Sequence, residues 1–259
     1  MILILGVILL GAAAAQEFQC TVIPGKLKQI SAGLGMVYGV NENNDVFYRS
    51  NNKWLQVPGK LVLVAAGPAG VWGINPQNNI YRLQGSNWVQ VKGSLVQIDA
   101  GGKEYVAGVT KENKTYCLNQ ADALSGSSDV TLIPVGTTFT YVACGRYGCW
   151  GIDQNKVTHF ITGVQPNRCQ GTGSQQVGGQ NLYMLKVGED GAVYGLSPDG
   201  GVYHREGVTA SAPIGTSWRR LNVGCSTFKH LSYDQGYLWL IYTNGDIYRC
   251  RVPGLFPCA

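Results

Sequence analysis

Charge is scarce in this 259-residue chain: Asp, Glu, Lys and Arg make up 14% of it, against about 25% in an ordinary globular protein. The 20 basic and 15 acidic residues leave a net charge of +5. No run of Lys or Arg concentrates that charge, which argues against a nucleic-acid partner. The three histidines, His159, His204 and His230, stand alone and no C-x-x-C spacing occurs, so the common zinc sites are not favoured and no metal ligand set is assigned. Beyond residue 15 no stretch is apolar enough to span a bilayer, which takes about 20 residues, so the protein is not read as membrane-inserted. No segment holds helical spacing for more than a turn. Catalytic patterns are missing too. No Ser-His-Asp or Cys-His arrangement stands out, and Asp99 and Asp153 lie beside strand signals without the partnered carboxylates that a glycosidase needs.

Glycine and aromatics are plentiful instead. The 36 glycines accompany 6 Trp, 14 Tyr and 6 Phe, and 45% of the residues are hydrophobic. Disordered chains lack this apolar material. Ile2 to Leu10 form a short apolar run, followed by Gly11 and Ala12 to Ala15. This reads as a secretory signal peptide cleaved after Ala15, whose positive charge is the terminal amine alone. Residues 16–259 then form one secreted domain. All eight cysteines lie in it, and an even number in an oxidising compartment reads as four disulfides. Asn113-Lys114-Thr115 is a glycosylation sequon, with Asn113 as the acceptor.

The organisation is a sixfold repeat. One unit runs Leu27-Lys-Gln-Ile-Ser-Ala-Gly33, Val37-Tyr-Gly-Val-Asn41, Asp45-Val-Phe-Tyr-Arg49, Trp54-Leu-Gln-Val57. The next runs Leu61 to Gly67, Val71-Trp-Gly-Ile-Asn75, Asn79-Ile-Tyr-Arg82, Trp88-Val-Gln-Val91. Further units start at Leu95, Phe139, Leu182 and Phe228. Each is a set of short β-branched and aromatic runs separated by Gly, Asn, Asp and Pro, the signal of four antiparallel strands with tight turns. A spacing near 41 residues is that of a propeller blade, about 40–45. The fold expected is therefore all-β, a six-bladed β-propeller of four-stranded antiparallel blades. The sixth unit lacks a fourth strand, and Cys20-Thr-Val-Ile-Pro-Gly25 aligns with Trp54-Leu-Gln-Val-Pro-Gly59. The N-terminal strand is thus expected to close the ring. Closure makes Cys20 and Cys250 hairpin neighbours. Cys144 and Cys149 flank one turn, Cys117 and Cys169 would join adjacent blades, and Cys225 and Cys258 would tie down the tail.

The segments Val57 to Gly67, Trp72-Gly-Ile-Asn75 and Asn79-Ile-Tyr-Arg82 resemble the tectonin repeat, and the resemblance covers essentially the whole mature chain. It points to the tectonin-repeat family of β-propeller lectins. The family implies binding of glycans, chiefly N-acetylglucosamine, on glycoproteins and on bacterial cell-surface saccharides such as lipopolysaccharide or peptidoglycan, in innate defence of the egg and embryo. The third and fourth units depart most, with Val106-Ala107 in place of the aromatic second strand and Thr158-His159 in place of Tyr-Arg.

Candidate carbohydrate-binding residues follow from sugar chemistry, in which an aromatic ring stacks on the apolar face of a pyranose while planar donors meet its hydroxyls. Tyr38, Trp72, Tyr194 and Trp239, with Trp150, recur on second strands, and Trp54, Trp88 and Trp218 on fourth strands. Packing between blades is the competing role for all of them. Arg49, Arg82, Arg205 and Arg249 recur after Tyr on third strands, where a guanidinium fork suits hydroxyls or phosphates. Ion pairing or stacking is the competing role. Asn244 and Asp246, with Asn43, Asp45, Asn79 and Asp199, could line sites or bind calcium weakly, or simply form hairpins. No cofactor is expected. A homodimer is compatible with the sequence. The alternatives to a lectin are a structural or protein-binding propeller of the egg coat and, less favoured, a propeller glycosidase.

Overall fold

Alternating apolar and polar residues bury one strand face and leave the other for a neighbour. In this chain nearly every strand has a neighbouring sheet on each side. The computed structural model describes residues 18–252 apart from positions 103, 166, 225 and 226. Each repeat folds as one four-stranded antiparallel sheet, and the six sheets are the blades of a propeller. The first blade comprises Gln29–Gly33, Met36–Val40, Asp45–Ser50 and Lys53–Lys60. The second comprises Leu63–Gly67, Gly70–Ile74, Asn79–Gln84 and Asn87–Ser94. The third comprises Gln97–Asp99, Val106–Val109, Lys114–Leu118 and Ile133–Thr138. The fourth comprises Tyr141–Gly145, Gly148–Ile152, Thr158–Thr162 and Gly173–Val177. The fifth comprises Met184–Val187, Val193–Leu196, Val202–Arg205 and Trp218–Arg220. The sixth pairs Phe228–Asp234, Tyr237–Tyr242 and Asp246–Arg251 with the N-terminal strand Gln19–Lys26.

That last pairing is the ring closure expected from the sequence. Cys20 sits directly opposite Cys250 and the two are bonded. Cys144 and Cys149 are bonded across the first hairpin of the fourth blade. Cys117, on the third blade, is bonded to Cys169, in the loop before the outer strand of the fourth. The fourth expected pair, Cys225 with Cys258, lies outside the described residues.

The innermost strands are almost wholly buried, whereas outermost strands such as Lys53–Lys60 face solvent. Crowding at the axis explains the small residues there. A methyl group on Gly33 would come within 2.3 Å of the Ala66 carbonyl oxygen, and one on Gly67 within 2.3 Å of that of Ala100. Inner strands of neighbouring blades are not hydrogen-bonded as a sheet. Their edges are satisfied by polar side chains, the cheap alternative to leaving buried backbone groups unpaired. Gln29 donates to the Val64 carbonyl at 2.8 Å and accepts from its N–H at 3.1 Å. Gln97 treats Val142 the same way. Ser31 accepts from Ala66 N–H, and Ser232 from Ala32 N–H.

The turn between second and third strands puts one residue per blade in the left-handed region: Asn44, Asn78, Asn113, Lys156, Gly200 and Gly245. Asn41 Oδ1 accepts from the N–H groups of Asn43 and Asp45, and Asn75 Oδ1 from those of Gln77 and Asn79. One element was not legible in the periodicity. The third blade carries a five-residue helix, Gln120–Leu124, capped by Asn119, before its outer strand.

Candidate functional site

Residues opposite one another on the four strands of a blade share one face. In the sixth blade Ser232, Trp239, Arg249 and Thr21 are in line. The equivalent line is Ala65, Trp72, Arg82 and Val89 in the second blade. In the fifth it is Lys186, Tyr194, His204 and Arg219. Each line faces the next blade, forming a seam. Tyr194 meets Tyr233 at 4.6 Å between ring centres, and Trp150 meets Trp218 at 6.1 Å.

The second-strand aromatics therefore lie inside the seams. Trp72 is 0% exposed, Tyr194 1%, Trp239 5% and Tyr38 8%. Their faces meet neighbouring side chains, and Trp72 donates its indole N–H to the Ala69 carbonyl. Folded in this way they act as packing. The fourth-strand tryptophans Trp54, Trp88 and Trp218 are only half-buried at the outer ends of three seams.

The four arginines are not equivalent: Arg49, Arg82 and Arg249 directly follow a Tyr, and Arg205 follows Tyr203-His204. Arg82 pairs across the strands with Trp72 and Arg249 with Trp239, so both face the following blade. Arg49 pairs with Trp54 and Arg205 with Trp218, so both face the preceding one. A strand alternates faces residue by residue, and one extra residue reverses the side chain. Asp45 to Arg49 is one residue longer than Asn79 to Arg82. Each guanidinium lies over an indole: Arg49 is 5.3 Å from the ring centre of Trp54, Arg82 5.3 Å from Trp72, Arg205 5.4 Å from Trp218 and Arg249 5.8 Å from Trp239.

Their partners divide them again. Arg82 donates to the carbonyls of Ala123 at 3.0 Å and Ser127 at 3.2 Å, both in the helical insertion of the third blade. Arg205 donates to the Ile214 carbonyl at 2.8 Å. Burial holds both below the usual arginine range. Asn244 and Asp246 form their own hairpin turn. Asp246 N–H donates to Asn244 Oδ1, and Lys26 holds the Asp246 carboxylate at 2.7 Å. These contacts keep the Asp246 carboxyl below its ordinary range. Asn113 stands half-exposed at the corresponding turn of the third blade. Among the described residues no group of three or more His, Cys, Asp or Glu could hold a metal ion.

Sequence reasoning missed the polar centre of the ring. Lys186 of the fifth blade reaches Asp99 of the third at 2.9 Å, both buried. Asp99 Oδ2 also accepts from the N–H groups of Gly101 and Cys144 at 3.0 Å. The contact spans 87 residues, and nothing local marks it. Asp99, weighed above as a catalytic carboxylate, is thus held by an ammonium and two backbone amides. Nearby Glu189 is pushed up to about 7, by burial first and then, against the pull of Lys186, by Asp99, Asp234 and Asp190. His230 is held down at about 3 by burial and by Lys186 and Lys229.

Six blades, a strand-closed ring and arginine–indole seams define a repeat propeller whose distinctive chemistry lies between blades. The tectonin domain family matches residues 26–243, and the chain belongs to it. Fish-egg lectin of Cyprinus carpio is 49% identical over 232 residues, 89% of this chain and 98% of the relative. Solved propellers share the fold at low identity. The virginiamycin B lyase of Staphylococcus aureus superposes with a TM-score of 0.58 at 12% identity, covering 91% of this chain and all (100%) of that one. YCF48 from Cyanidioschyzon merolae gives 0.55 at 15% identity, covering 88% and 82%.

Proposed function

We propose that the protein is a secreted, non-catalytic lectin whose saccharide contacts lie at the outer ends of the seams. The observation that carries this reading is the repeated rim platform, a half-buried fourth-strand tryptophan, topped at two of the three seams by an arginine. Arg49 stacks over Trp54 and Arg205 over Trp218. Such a platform offers an apolar face for a pyranose and, in the arginine, planar donors for its hydroxyls. The 49% identity to Fish-egg lectin supports the same reading, and so does the poverty of charge.

N-acetylglucosamine-containing glycans are the expected ligands, including bacterial lipopolysaccharide and peptidoglycan, with a role in defence of the egg. Several weak sites on one ring would act together by avidity. Removal of residues 1–15, secretion and a glycan on Asn113 belong to this reading. Isothermal titration with N-acetylglucosamine or chitobiose tests it. Heat of binding is expected, and Trp54→Ala and Trp218→Ala each weaken binding about tenfold, the scale of one lost stacking contact. No heat, together with no signal on a glycan array, would overturn it.

A further inference from the structure

The seam between the sixth and first blades differs from the others in one respect. Among the described residues it alone receives an arginine from both of its blades. Arg249 comes from the sixth and Arg49 from the first, and each guanidinium carbon lies 5.8 Å from the centre of the Trp239 ring. Arg49 also covers Trp54 at 5.3 Å, and Arg249 covers Tyr237 at 4.8 Å. No carboxylate of the described residues pairs with either. The buried Arg49 Nη1 and Arg249 Nε have no hydrogen-bond partner. Only Arg49 Nη2 reaches a neighbour, Asn52 Oδ1 at 3.4 Å. Burial, and then the charge of Arg249, lower the Arg49 pKa, so the two cations stand close enough to repel.

Two guanidinium groups that flank one indole with no counter-charge are costly unless an anion joins them. Arg82 and Arg205 show the alternative: Arg82 gives Nη1 and Nη2 to backbone carbonyls, though its buried Nε is also without a partner, and Arg205 gives its Nε to one. We propose that the closing seam is a binding site for a phosphate monoester carried on a sugar. A phosphate monoester bears a charge of about −2 with three acceptor oxygens, which matches two guanidinium forks. The half-buried Trp54 beside it supplies the face for the sugar ring. This assignment rests on the lectin reading for the sugar but not for the anion.

The test is titration of the intact secreted protein with N-acetylglucosamine 6-phosphate, N-acetylglucosamine and inorganic phosphate, at low and high salt. The sugar phosphate is expected to bind at least about tenfold tighter than the neutral sugar, with the gain lost at high salt. Arg249→Gln and Arg49→Gln abolish that gain, Arg49→Lys keeps only part of it, and the exposed Lys92→Gln leaves it unchanged. Far-UV circular dichroism confirms that each variant is folded. A second readout is the melting temperature, which inorganic phosphate raises in the wild type more than chloride of equal ionic strength, and does not raise in Arg249→Gln. Equal affinity for the neutral and phosphorylated sugars overturns the anion site and leaves the lectin standing. Binding of inorganic phosphate with no sugar binding supports the anion site and overturns the lectin. No binding of any of the three overturns both.

Discussion

The seam between the second and third blades and the seam that closes the ring carry the same motif, an arginine laid over a second-strand tryptophan. Their surroundings make them different. At the first, Arg82 is capped by the helical insertion before the third blade's outer strand, whose carbonyls take its N–H groups. At the second, no insertion overlies Arg249, and the side chain opposite is another arginine. An identical pair of residues is thus a structural clamp where the backbone supplies acceptors and an open cationic site where it does not.

Several substitutions sharpen or break that contrast. The largest effect is expected at the clamped seam. Trp72→Ala empties a fully buried indole site and should cost about 3–5 kcal/mol, read by denaturant unfolding. Next is the covalent tie unique to the closing blade. Replacing Cys20 and Cys250 with Ala should cost about 2–5 kcal/mol, because the bridge constrains nearly the whole chain. Arg82→Met, which keeps the aliphatic stem but strands the buried Ala123 carbonyl and the part-buried Ser127 carbonyl, should cost about 1–3 kcal/mol. Arg249→Met strands nothing and relieves repulsion, so stability should stay within about 0.5 kcal/mol of wild type. Equal losses for Arg82→Met and Arg249→Met would dissolve the distinction between the seams.

A smaller effect comes from the ring's centre. Glu189 is pushed from 4.5 up to about 7, chiefly by burial. An acid whose folded pKa is raised holds its proton longer in the native state. Its contribution is therefore complete below about pH 4.5 and is lost as pH rises through 7. Partial exposure keeps the change below about 1 kcal/mol. Glu189→Gln should flatten the melting temperature between those pH values, and an unchanged slope would assign it to other groups.

The sequence disclosed the ring better than the site, for physical reasons. Period-two runs and Asn or Gly turns are local signals, so six blades and the N-terminal closing strand are legible in the sequence itself. The pairing of Cys20 with Cys250 followed from that closure. The outer strand of the third blade, Ile133–Thr138, stood behind the insertion and carried no such signal. Lys186 and Asp99 meet only because blades three and five share an axis. The two classes of arginine were present in the spacing, four residues from Asp45 to Arg49 but three from Asn79 to Arg82 and from Asp246 to Arg249. The shared Tyr-Arg pair of these three masks the change of face, and in the fifth blade the inserted His204 makes it.

The central claim is that the closing seam is left open for an anion while the arginines of the other seams donate to the protein's own carbonyls. A crystal structure of the protein soaked with N-acetylglucosamine 6-phosphate tests it most directly. The account predicts a phosphate between the guanidinium groups of Arg49 and Arg249, with the sugar against Trp54. A phosphate seated at another seam, with Arg49 and Arg249 still unpaired, would contradict it.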